Sequence, residues 1–253
     1  MISIEYLPQT AFVFMLIFAR LGTMIMLMPA LGETVIPARV RLIFALLFCF
    51  IMMPLVADSY GKLPQTVAGL AIIVIGEVLI GLFVGMVARL IMSALHVAGN
   101  VIALQTGLAF AQNVDPTAGG HGVLFSNFMS LLAVTLIFAT NLDHLLIAAM
   151  RDSYTLFQPG VVLPVGDFAQ IAIKAVSGSF MLGVQLAAPF LVFGLVFYLG
   201  IGILSRLMPQ IQVFFIAMPA NIGLGFLMFM VLLGAMMTWF LEGFEGSLSV
   251  FVR

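Results

Sequence analysis

Four charged side chains sit inside long apolar runs of this chain: Arg20, Glu77, Arg89 and Arg206. A charge at membrane depth costs several kcal/mol unless it is paired or hydrated. Each is therefore half of a structural ion pair or part of a wet path. Glu77 and Arg89 are twelve residues apart in one run, about 18 Å along a helix, so they cannot pair with each other. Each needs a partner on another helix, on another subunit or in water. From Arg89 a polar series continues through Ser93, His96 and Asn100, at spacings of 4, 3 and 4. On a helix these four fall within a sector of about 60°. Hydrogen bonds to a neighbouring helix would explain such a stripe, and so would the wall of a water-filled channel.

Catalytic chemistry finds little support. The three histidines, His96, His121 and His144, stand 25 and 23 residues apart, which is not the spacing of a helical metal site. Asp143 and His144 are adjacent, so on a helix they point about 100° apart, and no nucleophile is tied to them. Gly166-Asp167 falls in a polar connection and lacks the first glycine of an intramembrane aspartyl-protease motif. No glycine-rich phosphate loop occurs. The expectation is no catalytic residue, no metal and no cofactor.

The segment 107–122, GLAFAQNVDPTAGGHG, is unlike the rest. Gly107, Gly119, Gly120 and Gly122 loosen it, Asp115-Pro116 forms a turn, and Asn113 adds a polar side chain. Phe110 is its one bulky ring. Between apolar helices such backbone is tolerated only inside protein or beside water. A re-entrant, plug-like loop and an ordinary connection outside the membrane both satisfy that condition.

The elements that carry these residues are long apolar helices. The chain has 253 residues, 64% hydrophobic and 8% charged, against about 25% charged in a soluble protein. So few charges cannot clothe a water-soluble surface, so the fold expected is an all-α membrane domain. A spanning helix needs about 20 apolar residues. Candidates are 11–31, 42–57 ending near Pro54, 67–92 running on towards 103, 123–150, and two spans between Lys174 and Glu242 with a turn at 205–212. That makes about six helices in hairpins, in a single domain 1–253. Residues 151–170 read as the longest polar connection, and 242–253 as a short acidic tail.

Gly81 and Gly85, four apart, and Gly200 and Gly202 are expected to allow close helix approach. The 18 methionines cluster at Met24, Met26 and Met28, at Met52 and Met53, and at Met228, Met230, Met236 and Met237, as core filling or as a deformable seal or subunit contact. Cys49 is the only cysteine and reads as a small buried hydrophobe. Glu5 is the only charge before Arg20, so a basic secretory leader is not expected. The nine Lys and Arg divide almost evenly between alternate loops and give no orientation. The net charge of −1 excludes nucleic acid as an expected partner.

Several motifs resemble the FliR family of flagellar biosynthetic export-apparatus proteins and its injectisome counterpart, over essentially the whole length. Arg20 with Pro29-Ala30-Leu31-Gly32 and Pro37-Ala38-Arg39-Val40-Arg41 is similar to the family's first hairpin. Ala98-Gly99-Asn100, Gln105-Thr106-Gly107-Leu108 and Asp115-Pro116 are similar to its central stretch. The most specific piece is Gly202-Ile203-Leu204-Ser205-Arg206-Leu207-Met208-Pro209-Gln210, continuing to Val213-Phe214 and Pro219. Gln212 and Ala217 depart from the family's usual Asn and Gly.

The resemblance implies a FliP-like part, 1–174, followed by a FliQ-like helical hairpin and short tail, 175–253. It implies one subunit of a channel built with FliP and FliQ that gates export of unfolded flagellar subunits alongside FlhA and FlhB. It also implies that 107–122 plugs the pore. The competing expectation is a self-contained secondary transporter with Glu77 or Arg89 as coupling group. The paired broken segments common in transporters are not evident.

Overall fold

The computed structural model describes residues 7–33, 36–61, 64, 66–109, 124–161, 165–209 and 212–252. Seven α-helices are bounded within them: α1 (Leu7–Leu27), α2 (Ala38–Val56), α3 (Val67–Gln105), α4 (Leu124–Ala139), α5 (Asp143–Leu156), α6 (Val165–Leu207) and α7 (Val213–Leu248). Short 3-10 turns follow α2 (Ala57–Ser59) and α7 (Ser249–Phe251). Among the described residues no strand occurs. Five helices are long and apolar enough to cross a membrane, or up to six if α4 and α5 count as one broken span. The chain is an all-α membrane protein.

Local sequence explains the boundaries. Thr66 Oγ1 accepts a hydrogen bond from the Gly69 N–H at 3.2 Å, capping the start of α3. No proline then interrupts the 39 residues to Gln105, so the helix runs past 92. The single span expected over 123–150 is two helices. Asn141 sits at φ 59, left-handed backbone that asparagine tolerates better than most residues, and it ends α4. Pro54 lies inside α2 rather than ending it. The connection expected over 151–170 is shorter, because α5 continues to Leu156 and α6 begins at Val165. At the other end α7 carries Glu242 and Glu245 within the helix, where a tail is expected.

The turn between α1 and α2 is built by backbone bonding. The Gly32 N–H donates to the Met28 carbonyl at 2.7 Å. A Cβ at Gly32 would stand 2.7 Å from two carbonyl oxygens, those of Met26 and Met28. Arg41 Nη2 donates to the carbonyls of Glu33, at 2.7 Å, and Ile36, at 3.2 Å. The first hairpin motif of the sequence is thus a turn held by its own arginine.

The chain divides into two compact units, with the boundary passing through α3, α6 and α7 and near the end of α4. The first comprises Met1–Ile91, Phe138–Val176 and Phe244–Arg253. Here α1 packs along α2, and α5 meets the turn at Ser249–Phe251. Leu16, Ile17, Leu21 and Met24 of α1, Ala45 and Cys49 of α2, and Val84 and Ala88 of α3 are fully enclosed. Phe83 packs on Phe168, with centroids 4.2 Å apart, and edge-on to Phe157 and Phe251. The second unit comprises Met92–Ile137 and Ser177–Gly243. Its core includes Leu95 and Ile102 of α3, Phe125 and Met129 of α4, Phe190 of α6 and Phe229 of α7. Phe229 touches Phe125, with centroids 4.7 Å apart, as well as Phe128 and Phe190.

Glycines mark close approach inside each unit. At Gly81 an added Cβ would collide with Thr23 Oγ1 and the Arg20 carbonyl. At Gly85 it would stand 2.9 Å from the Leu27 Cβ and 3.1 Å from the Met24 carbonyl. Gly200 and Gly202 face open space instead. Gly85→Val should destabilise the first unit by about 1–3 kcal/mol through overpacking, read as a lower thermal unfolding midpoint in detergent. Gly76→Ala, which meets nothing within 4 Å, is the control and should leave the midpoint unchanged or slightly raised. Equal effects from the two substitutions would disprove the contact.

Candidate functional site

The central polar feature of the first unit is a buried ion pair. Arg20 is 0% and Glu77 1% exposed. α1 brings the guanidinium to α3 because Gly81, one turn beyond Glu77, lets the two backbones close up. Arg20 Nε donates to Glu77 Oε2, and Arg20 Nη2 to Glu77 Oε1 at 3.0 Å. The two planar groups meet side-on in the bidentate arrangement that favours arginine over lysine. Arg20 Nη1 donates to the Ser153 carbonyl of α5 at 3.0 Å. The guanidinium carbon stands 4.2 Å from the ring centroid of Tyr154, close enough for cation–π attraction. Tyr60 meets Tyr154 edge-on at 6.2 Å. Burial pushes the Tyr60 phenol well above its ordinary range, and Tyr154 and Glu77 beside it add to the rise, so it stays neutral.

This arrangement ties α1, α3 and α5 together. Both carboxylate oxygens of Glu77 are engaged, and the arginine's third contact is a backbone carbonyl. Among the described residues no group of three His, Cys, Asp or Glu could hold a metal ion. An apolar groove of about 270 Å³ runs past Ile72, Ile75 and Leu79 to Gly160 and Val161, with Glu77 in its lining. Asp143 and His144 stand 3.5 Å apart, with the histidine 74% exposed. Asp152 accepts from Arg151 Nε at 2.6 Å.

The remaining sequence candidates fall elsewhere. Arg89, His96 and Asn100 are exposed along α3, and Ser93 between them is half-buried. Arg206 is exposed in the last turn of α6, where a cation suits the helix dipole. It stands at the end of the rod rather than within it. Gly107 follows the end of α3 at φ 75. Phe110, Asn113, Asp115, Pro116, Gly119, Gly120 and Gly122 lie outside the described residues.

Sequence reasoning missed the Ser153 carbonyl, Tyr154 and Tyr60. The available signal was composition: four tyrosines stand among 24 phenylalanines. A tyrosine kept where phenylalanine would pack equally well marks a polar neighbourhood.

Fold and site together define an integral membrane protein whose buried charge ties its own helices together and whose Arg89, His96 and Asn100 are exposed along α3. A model of the family described as "Bacterial export proteins, family 1" matches residues 11–247. The chain is 48% identical over 225 residues to the flagellar biosynthetic protein FliR of Caulobacter vibrioides, covering 88% of this chain and 90% of that one. It is 32% identical to the FliR of Escherichia coli, covering 81% and 78%, and 27% identical to that of Bacillus subtilis, covering 86% and 85%. The chain belongs to this family of bacterial export proteins, among the flagellar FliR proteins.

The ion pair generates a double-mutant test. Arg20→Met or Glu77→Met alone leaves an uncompensated buried charge and should cost about 3–5 kcal/mol. The double substitution should cost clearly less than the sum. Thermal unfolding of the four forms in detergent measures the coupling. Additive losses would show that the two side chains do not act as a pair.

Proposed function

We propose that this chain is a non-enzymatic subunit of the flagellar type III protein export gate, in the bacterial inner membrane at the flagellar basal body. In this reading it builds the export channel with FliP-like and FliQ-like subunits. It works beside FlhA and FlhB on unfolded flagellar export substrates.

The observation that carries the reading is helix length. α3, α6 and α7 have 39, 43 and 36 residues, about 54–65 Å at 1.5 Å per residue. A bilayer's hydrocarbon core is about 30 Å thick. Between Lys174 and Arg206 α6 carries no charge at all. Tilt and local thickening accommodate modest mismatch, but an apolar rod of about twice the core thickness needs protein around it. Val192, Leu195, Val196 and Leu199 of α6 and Met230 and Val231 of α7 are all more than half exposed. The open face at Arg89, His96 and Asn100 supports the same conclusion, because a cation amid apolar helix calls for a partner's acceptor or for water.

The segment 107–122 serves as the closure element in this reading. Its glycines and Asp115-Pro116 permit irregular backbone, Phe110 supplies bulk, and the family resemblance points to the same positions. A proton-coupled transporter fits less well, since Glu77 is held by Arg20 through both oxygens.

Affinity purification in mild detergent tests assembly. FliP-like and FliQ-like subunits should accompany the chain, and the chain expressed alone should be polydisperse. A stable, monodisperse monomer carrying out proton-coupled transport in liposomes would defeat the proposal. Arg89→Ala should lower recovery of the assembly by about tenfold, the equivalent of about 1.4 kcal/mol, while the chain still accumulates in membranes.

Deleting residues 110–113 tests closure separately. The assembly should form and leak small ions in cells that express the full set of partners. An assembly that forms and remains as tight as the parent would reduce the segment to a connection.

A further inference from the structure

The C-terminal end of α3 is capped from another helix. The last carbonyls of a helix have no partner of the regular kind, and at α3 they are satisfied one after another. The Ile102 carbonyl accepts from the Thr106 N–H at 2.9 Å, and the Leu104 carbonyl from the Gly107 N–H at 3.3 Å. The Ala103 carbonyl accepts from Thr106 Oγ1 at 3.4 Å. The Gln105 carbonyl accepts from Asn221 Nδ2 of α7 at 3.1 Å, across 116 residues of sequence.

The surroundings are built for this contact. Asn221 is 3% exposed and Thr106 is fully buried. Gly107 turns the chain at φ 75, and a Cβ there would stand 3.3 Å from Asn221 Nδ2. One turn along α7, a Cβ at Gly225 would collide with the Thr106 side chain, 2.6 Å from its Cβ. On α6, a Cβ at Gly194 would run into the Gln105 carboxamide, 2.8 Å from its Cδ. Two helices thus supply a socket of glycines, and one asparagine supplies the donor inside it.

We propose that Asn221 is a positioning residue of the export path: by capping α3 from α7 it fixes where α3 stops and the chain beyond Gly107 begins. The proposal rests on the reading of this chain as part of an export channel. Its physical basis is the cost of an unsatisfied carbonyl in buried surroundings. With the donor gone, the last turn of α3 must fray or wind on to find another partner, and either response moves the root of the segment that follows. Asn221 makes no contact with cargo in this account; it acts through Gln105.

The test compares the parent assembly with Asn221→Asp, Asn221→Leu and Asn221→His. Leucine keeps the branched shape and removes both polar atoms, aspartate removes the donor and adds a buried charge, and histidine restores an N–H. Two readouts are taken: hydrogen exchange of the peptide covering 102–109, and small-ion leakage of membranes carrying the assembly. Asn221→Asp and Asn221→Leu should speed exchange at residues 106 and 107 by about tenfold or more and raise leakage several-fold, with recovery of the assembly unchanged. Asn221→His should return both readouts towards the parent.

A purely steric role for Asn221 would leave Asn221→Leu, which keeps the branched shape without charge, at parent values and overturn the proposal. Faster exchange with parent-like leakage would overturn its link to export. Should Asn221→Leu fail to accumulate, Asn221→Asp and Gly225→Ala, which presses on Thr106 from the same helix, carry the same expectations. If the parent chain purifies without partner subunits, the export reading fails by itself, while exchange in the isolated chain still reports whether the cap exists.

Discussion

A guanidinium and a carboxylate, both withdrawn from solvent, set the terms on which the first unit can fold. Arg20 and Glu77 each carry a desolvation cost that only a well-formed partner offsets. The bidentate contact, the Ser153 carbonyl and the Tyr154 face together occupy the arginine. α1, α3 and α5 are therefore fixed by one side chain. The packing around it follows from that requirement. Gly81 must lack a side chain for α1 to approach, and Tyr154 must be aromatic to lie beside the cation. Hydrophobic burial alone would accept many sliding registers of these helices; a two-pronged ionic contact accepts one.

The second unit meets the same problem with neutral groups. Its polar requirement lies at the end of α3, where backbone carbonyls lose their helical partners in an apolar setting. Thr106, Gly107 and Asn221 satisfy them. Elsewhere this unit is held by ring contacts around Phe229. Ser126 adds a bond from its hydroxyl to the His96 carbonyl at 3.3 Å, made possible by Gly99, where a Cβ would overlap Ser126. In both units polar contacts set register and apolar contacts supply area.

Much of the architecture was legible in the sequence, because helices in an apolar medium announce themselves by long runs without charge. The membrane class, the spans at α1, α2, α6 and α7 and the family resemblance follow from such runs and from short motifs. Boundaries were less legible where a polar stretch is compatible with helix. Arg151, Asp152 and Ser153 look like a connection, yet Asp152 and Ser153 are buried and belong to α5. Asn141 breaks 123–150 into two helices through its own backbone conformation, which periodicity does not register. The partner of Arg20 was not legible, since a run of sequence shows that a buried charge needs a counter-charge and does not show which one. Arg89, of the same residue type and also within an apolar run, stays exposed. The long-range cap was hidden for a like reason: Asn221 is an ordinary polar residue near the start of a helix until the end of another helix is placed beside it.

The order in which a ribosome produces these residues gives the ion pair a second aspect. Arg20 is made 57 residues before Glu77 and 133 before Ser153. At about 5–20 residues per second, the arginine waits about 3–11 s for its carboxylate and about 7–27 s for its carbonyl. During that interval α1 carries a lone cation that lipid receives poorly. The first helix therefore has reason to linger at the interface or beside the insertion machinery until α3 arrives. Entry of one helix into the membrane is then conditional on the delivery of another.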